Sequence, residues 1–422
     1  MIINVSRIGP VDATFEAPPS KSYTHRALIA AALASGRSRI MAPLRAIDTE
    51  ATTRGLESLG VPVEWSSGEI TVTGCGGTFP VSGEVTIDCE NSGTTLRLLT
   101  STALIAPHPV VLTGSARMLE RPVGPLADAL RALGADIAFM ARPGFPPIRI
   151  SGRLRGGKAE VDGSMSSQFI SSILMAAPYA DEDVELTLPA PPASRSYLDV
   201  TVDVMLRFGA RLERRGYDWF RVKSGAAYRG RNYRIEGDYS SASYLFAVAA
   251  VCGGRVTVTG LSPTSVQGDR RFLTALEAMG CHVTTGADVV AVERAGDLSG
   301  IDIDMSSSPD TVQTLAAVAA TASSPTTIRG IAHLQYKESD RVRVTAEILR
   351  RMGTEVQVAE NSLTITPAPL HGVLVDPRDD HRTAMAFAVL GFAVGGVAIR
   401  DPGCVEKSFP GFWEALYGEG LL

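Results

Sequence analysis

Two phrases that each recur about every 72 residues predict an α/β protein of six similar modules, three in each of two domains. The first phrase is an apolar helix end, a glycine and a short alternating strand. It reads GLESLGVPVEW, ALRALGADIAF, VMLRFGARLER, ALEAMGCHVTT and ILRRMGTEVQV, with a degraded sixth copy, FWEALYGEG. Its glycines are Gly60, Gly134, Gly209, Gly280, Gly353 and Gly418, spaced 65 to 75 residues apart. The second phrase is a polar turn opening an apolar, Ala-rich helix. Its copies are PSKSYTHRALIAAAL, ENSGTTLRLLTSTAL, SMSSQFISSILMAAP, GDYSSASYLFAVAAV, SSPDTVQTLAAVAAT and DDHRTAMAFAVLGFA. Their markers, Ser22, Ser92, Ser166, Ser240, Asp310 and His381, recur every 70 to 74 residues.

Along the chain, IINVSRI reads as a strand that precedes the first helix and is free to pair with the C-terminal half. In each module the Ala-rich helix is apolar on nearly all sides, so it must be buried. Its opening carries Ser, Asp or Asn, the residues that cap helix starts. The second helix is amphipathic and ends at the marker glycine, which suits the left-handed position after a helix. Alternation in the residues that follow predicts a strand. The break between halves falls near YRGRNYRIEGDYS (Tyr228 to Ser240), without a low-complexity linker. Two domains joined by short crossings predict a hinge and a cleft. The apolar run Ala384 to Ile399 is too short for the ~20 residues of a membrane span and reads as a buried helix, turn and strand.

Composition narrows the function. Hydrophobic residues make up 45% and charged residues 20%, which excludes a disordered or collagen-like chain. With 40 Lys and Arg against 45 Asp and Glu, the net charge of −5 gives no global grip on nucleic acid. Five cysteines form no C-x-x-C pair, so neither zinc nor a disulfide framework is expected. MIINVSRIGP lacks the apolar core of a signal peptide, which points to the cytoplasm. GRLRGGKA nearly matches a P-loop, but Ala159 stands where Ser or Thr must hold Mg²⁺. No G-x-G-x-x-G or G-x-S-x-G motif is present, so side chains must supply the chemistry.

The helix openings carry cations: Lys21 and Arg26, Arg97, and Arg382. Others stand in compact polar segments: Arg121 in LERPVGPL, Lys337 and Arg341 in YKESDR, Lys407 in VEKSFPGF. Helix N-termini also attract anions. Cations spread from the first module to the last predict one cleft for a ligand of several negative charges. Ser166, Ser167 and Gln168 are three adjacent hydrogen-bonding residues, more than capping needs. Asp310 after Pro309 reads equally as a helix cap, and Glu338 beside Lys337 as an ion pair.

Nine segments resemble one known family in order and over essentially the whole chain: PSKSYTHRAL, NSGTTLRLL, LERPVGPL, MSSQFISSIL, SYLDVT, EGDYSSASYLFA, YKESDRV, DDHRTAMAF and EKSFPGFWEAL. They resemble the 5-enolpyruvylshikimate-3-phosphate (EPSP) synthases. The resemblance implies a two-domain inside-out α/β barrel, each domain three βαβαββ repeats with buried helices, and an active site in the inter-domain cleft. It implies a domain of residues 1–18 and 237–422 and an inserted domain of residues 19–236. The implied reaction moves the enolpyruvyl group of phosphoenolpyruvate to the 5-hydroxyl of shikimate 3-phosphate and releases phosphate. No metal or organic cofactor, no nucleic acid and no membrane is implied, and the chain is expected to act as a monomer.

The resemblance also assigns roles. Lys21 would contact both substrates, with Ser22 and Arg26 on the shikimate carboxylate. Ser166, Ser167, Gln168, Ser194 and Tyr197 would hold shikimate 3-phosphate, together with Asp310, Lys337 and His333, which replaces an Asn of some members. Gly93, Thr94, Arg121, Gln168, Arg341, Arg382 and Lys407 would hold phosphoenolpyruvate. Asp310 is implied as proton acceptor and Glu338 as proton donor, with Lys21 as the third catalytic residue that could exchange protons with them. Two rivals fit less well. The enolpyruvyl transferase acting on UDP-N-acetylglucosamine typically carries Cys or Asp in the loop that here reads TGSARMLERP. An RNA-terminal phosphate cyclase would not share all these segments.

Overall fold

The computed structural model describes residues 1–422, which form two compact units: Met1–Pro18 with Glu236–Leu422, and Pro19–Ile235. Each module runs strand, buried helix, strand, and in four of the six these two strands pair in parallel, a pairing no tight turn can join. An amphipathic helix then leads to an antiparallel hairpin. In the Pro19–Ile235 unit the helices are α1 (Lys21–Leu33), α2 (Ile47–Ser58), α3 (Gly93–Thr102), α4 (Gly124–Ala132), α5 (Ser167–Ala176) and α6 (Ser196–Arg207). In the other they are α7 (Tyr239–Cys252), α8 (Arg271–Met279), α9 (Val312–Ala319), α10 (Arg341–Arg351), α11 (His381–Val394) and α12 (Phe412–Gly418).

The odd-numbered helices are those that open on the second phrase, and they are buried along almost their whole length. Within each unit they pack together at the centre. Hydrogen bonds fix their registers. Ser101 Oγ meets Ser172 Oγ at 2.7 Å between α3 and α5, and Gln313 Nε2 donates to Thr383 Oγ1 at 2.8 Å between α9 and α11.

Five of the six sheets share one plan, seen in the order Val85–Asp88, Val110–Thr113, Ile148–Gly152, Ala135–Phe139: a parallel pair followed by two antiparallel steps. The strand before α1, Val11–Glu16, pairs in parallel with Gly254–Thr259, and the strand before α7, Asn232–Arg234, pairs in parallel with Ser35–Met41. The sixth sheet has three strands. Ile2–Val5 supplies its antiparallel strand against Val397–Arg400, which pairs in parallel with Leu374–Val375.

The marker glycines after α2, α4, α6, α8 and α10 hold φ between +82° and +109°, a region that costs a residue with a side chain. After four of them the next residue, Val61, Ala210, Cys281 or Thr354, donates its N–H back to a carbonyl of the last helical turn and closes the helix end. Gly418 departs from the expectation: it lies inside α12, and Gly420 takes the left-handed conformation.

Candidate functional site

The predicted residues of the Pro19–Ile235 unit gather at the N-terminal ends of α1, α3, α5 and α6. Lys21 opens α1 and its Nζ lies 3.0 Å from Asp48 Oδ2, with both side chains largely buried. One turn on, Arg26 is 2% exposed. Its Nε donates to Thr201 Oγ1 (2.7 Å), Nη1 to the Ser22 carbonyl (3.0 Å), and Nη2 to Ser171 Oγ (3.4 Å) and the Tyr197 carbonyl (3.3 Å). All four partners are neutral. Burial lowers the guanidinium pKa to about 10, so it stays charged at neutral pH.

Gly93 is the first residue of α3, and Ser92 caps it by accepting the Thr95 N–H. A Cβ on Gly93 would lie 2.4 Å from Arg121 Nη2, so only glycine lets the buried Arg121 guanidinium cross that helix end. Arg121 Nη1 donates to the Asn91 carbonyl at 3.2 Å. At α5, Ser166 does cap the helix, accepting the Gln168 N–H at 3.2 Å. Gln168 bridges two side chains: its Oε1 accepts from Arg97 and its Nε2 donates to Thr94. Ser167 is buried beside it. Ser194 holds a left-handed backbone (φ +57°), which costs a serine about 1 kcal/mol. Its carbonyl accepts the Tyr197 N–H, tying the turn to the start of α6.

In the other unit, one guanidinium organises the site. Arg341, the first residue of α10, donates from Nη1 to Asp310 Oδ1 (3.0 Å), from Nη2 to Glu338 Oε2 (2.6 Å) and from Nε to Asp380 Oδ2 (2.9 Å). Burial works to lower its pKa, but the carboxylates of Asp380, Glu338 and Asp310 outweigh burial and hold it above the ordinary arginine value. Arg382 Nη2 pairs with Asp310 Oδ2 at 2.8 Å, and its Nη1 donates to the Asp310 carbonyl and the Tyr244 hydroxyl. Asp310 therefore bridges two arginines. It does not cap α9: it sits in the 3-10 turn Pro309–Thr311 ahead of the helix. Glu338 pairs with Arg341.

His333 lies in the 3-10 turn Ala332–Tyr336. Burial, reinforced by the charge of Lys337, lowers its pKa to about 3 and keeps the imidazole neutral. Lys337 follows that turn directly. Lys407 ends the turn Pro402–Lys407 and is buried.

A family model described as EPSP synthase (3-phosphoshikimate 1-carboxyvinyltransferase) matches residues 5–416. The chain belongs to the EPSP synthase family. It is 81% identical over 422 residues, the whole of both chains, to the 3-phosphoshikimate 1-carboxyvinyltransferase of Methanoculleus marisnigri. It is 56% identical over 416 residues, 99% of each chain, to that of Methanoregula boonei. The solved EPSP synthase of Acinetobacter baumannii superposes with a TM-score of 0.83 at 27% identity, covering 100% of this chain and 98% of that one.

Seen as an EPSP synthase, the chain has three site carboxylates that the sequence reading did not single out. Asp380 caps α11, accepts from Ser339 Oγ at 3.0 Å and pairs with Arg341. It stands in the DDHRTA segment already noted, where an acid before a helix reads as a cap alone. Asp48 pairs with Lys21 from 27 residues away, with no motif to mark it. Asp269 is buried and accepts from Ser240 Oγ. Burial, with the negative charge of Asp310 added, raises its pKa to about 7.

Proposed function

We infer that the protein transfers the enolpyruvyl group of phosphoenolpyruvate to the 5-hydroxyl of shikimate 3-phosphate and releases phosphate, a step of the shikimate pathway to chorismate and aromatic amino acids. The observation that carries the mechanism is the Arg341 guanidinium, which holds Asp310 and Glu338 at 3.0 and 2.6 Å. Two carboxyl groups kept side by side can exchange proton roles between an addition and an elimination.

In the addition, Asp310 takes the proton of the 5-hydroxyl as its oxygen bonds to C2 of phosphoenolpyruvate. Glu338 gives a proton to the methylene carbon, which becomes a methyl group. In the elimination, Glu338 takes a proton back from that methyl, the double bond re-forms, the C2–O bond to phosphate breaks, and Asp310 gives its proton to the departing phosphate oxygen. A carboxyl beside Arg341 prefers to be ionised. Phosphoenolpyruvate held by Arg341, Arg382 and Lys407 offsets that cationic field and lets Glu338 carry the proton it must give.

Both substrates are anions, so fixed cations must hold them together against their repulsion. We assign shikimate 3-phosphate to Lys21, Ser22, Arg26, Ser166, Ser167, Gln168, Ser194 and Tyr197, with Asp310, His333 and Lys337. A neutral His333 suits this role, since it can accept a hydrogen bond as well as donate one. Phosphoenolpyruvate goes to Lys21, Gly93, Thr94, Arg121, Gln168, Arg341, Arg382 and Lys407. We propose that the protein works as a monomer in the cytoplasm. No helix is long and apolar enough to cross a membrane.

The test is release of inorganic phosphate by purified protein without added metal. Release is expected only when both substrates are present. No turnover in their joint presence refutes the reading.

A further inference from the structure

A carboxamide has two ends of nearly equal size, an acceptor oxygen and a donor nitrogen. Which end faces an anion decides between attraction and repulsion. At Gln168 the oxygen end is committed: Oε1 accepts from Arg97 Nη1 at 2.8 Å. A guanidinium has no acceptor, so the nitrogen end cannot take that place. Arg97 is itself fixed. It is 4% exposed, donates from Nη2 to the Pro122 carbonyl at 3.3 Å, and its guanidinium carbon lies 5.4 Å from the centre of the Phe169 ring.

The direction set at Arg97 carries through two more groups. Gln168 Nε2 donates to Thr94 Oγ1 at 3.0 Å. Having accepted there, the Thr94 hydroxyl keeps its own hydrogen to give, and Nε2 retains a second one. The chain Arg97 to Gln168 to Thr94 runs one way and ends in donors. Gln168 and Thr94 are half-buried, whereas Arg97 is buried behind them.

We propose that Arg97 is a positioning residue for the reaction: by holding Gln168 Oε1 it turns the Gln168–Thr94 pair into a donor pair for an anionic oxygen of the substrates. This rests on the function proposed above, but it concerns a residue that acts through another side chain and not by touching the ligand.

The test is a double-mutant cycle of Arg97→Met and Gln168→Met. The methionine at 97 keeps the apolar contact with Phe169 and removes the donors. Arg97→Met is expected to raise KM about tenfold for the substrate whose anion meets the pair. Separate titration of shikimate 3-phosphate and phosphoenolpyruvate shows which substrate that is. In the Gln168→Met background the same change is expected to add less than about twofold. Additive effects would mean that Arg97 acts on the substrate directly, and overturn the proposal. A lowered melting temperature with KM unchanged would leave only a structural role and overturn it too. Arg97→Lys, which keeps a donor near Oε1, is expected to stay within about threefold of wild type, and a tenfold rise there also counts against the proposal. The same cycle is read from the affinity for inorganic phosphate, which needs no turnover. A wild type that binds phosphate but releases none from the substrates refutes the function, while the cycle still judges Arg97.

Discussion

Arg26 and Arg341 are both buried guanidiniums in the first two turns of a helix, one in each unit, but their surroundings differ in kind. Arg26 is held by two hydroxyls and two carbonyls. Arg341 is held by three carboxylates. A buried charge among neutral partners is stabilised only in part and leaves its countercharge to be supplied by a ligand. A buried charge among carboxylates is already neutralised and serves to hold those acids in place. On the function proposed above, Arg26 leaves its charge for a ligand to complete, whereas Arg341 holds the proton carriers Asp310 and Glu338 beside the phosphoenolpyruvate it helps to bind.

The largest effect that could break this contrast is on stability. Arg341→Met leaves Asp380, which is 0% exposed, without its cation, and is expected to cost about 3–5 kcal/mol in denaturant unfolding. Arg26→Met strands only neutral acceptors and is expected to cost about 1–2 kcal/mol. Equal costs would remove the distinction. The same Arg26 variant should lose most of the thermal stabilisation that shikimate 3-phosphate gives the wild type.

A smaller effect probes the binding region alone. Gly93→Ala places a methyl group 2.4 Å from Arg121 Nη2, so the guanidinium must leave the Asn91 carbonyl. KM for phosphoenolpyruvate is expected to rise about tenfold, the loss of roughly 1.4 kcal/mol of binding, with the melting temperature little changed. Unchanged kinetics would show that Arg121 is not needed where it lies.

A further effect concerns pH around Asp269. The pKa of Asp269 is raised to about 7 in the folded protein, against 3.8 for an ordinary aspartate. Between these values the unfolded chain loses the proton and the folded one keeps it, so stability falls as pH rises from about 4 to 7 and then levels off. Asp269→Asn removes this dependence. Its melting temperature should therefore gain on the wild type steadily from pH 4 to 7, and a constant difference would refute the shift.

The two regions were also unequally legible in the sequence. Repeats and helix openings are local: a glycine at positive φ after α2 and a serine accepting at the start of α5 both leave a mark within a few residues. The cations stood out for the same reason, since Lys21, Arg26 and Arg382 each lie in a compact polar opening. The acids did not. Arg341 and Asp380 are 39 residues apart, and only the packing of α10 beside α11 makes them a pair. Asp380 also caps α11, and that local role hid the distant one. At Asp310 the local rule pointed the wrong way: the acid lies before the helix and turns to two arginines instead of capping.

Strand Ile2–Val5 completes a sheet with residues Val397–Arg400, so it waits for a partner synthesised roughly 400 residues later. At about 5–20 residues per second the wait on the ribosome is roughly 20–80 s. The Pro19–Ile235 unit is one continuous stretch, closed by the pairing of Asn232–Arg234 with Ser35–Met41, and it can fold as it emerges. The other unit must keep Ile2–Val5 and Val11–Glu16 unpaired until their partners arrive. An unpaired strand is a template for wrong partners. The order of synthesis therefore places the risk of misassembly in the unit that carries Asp310 and Glu338, and translation rate should govern the yield of that unit more than that of its neighbour.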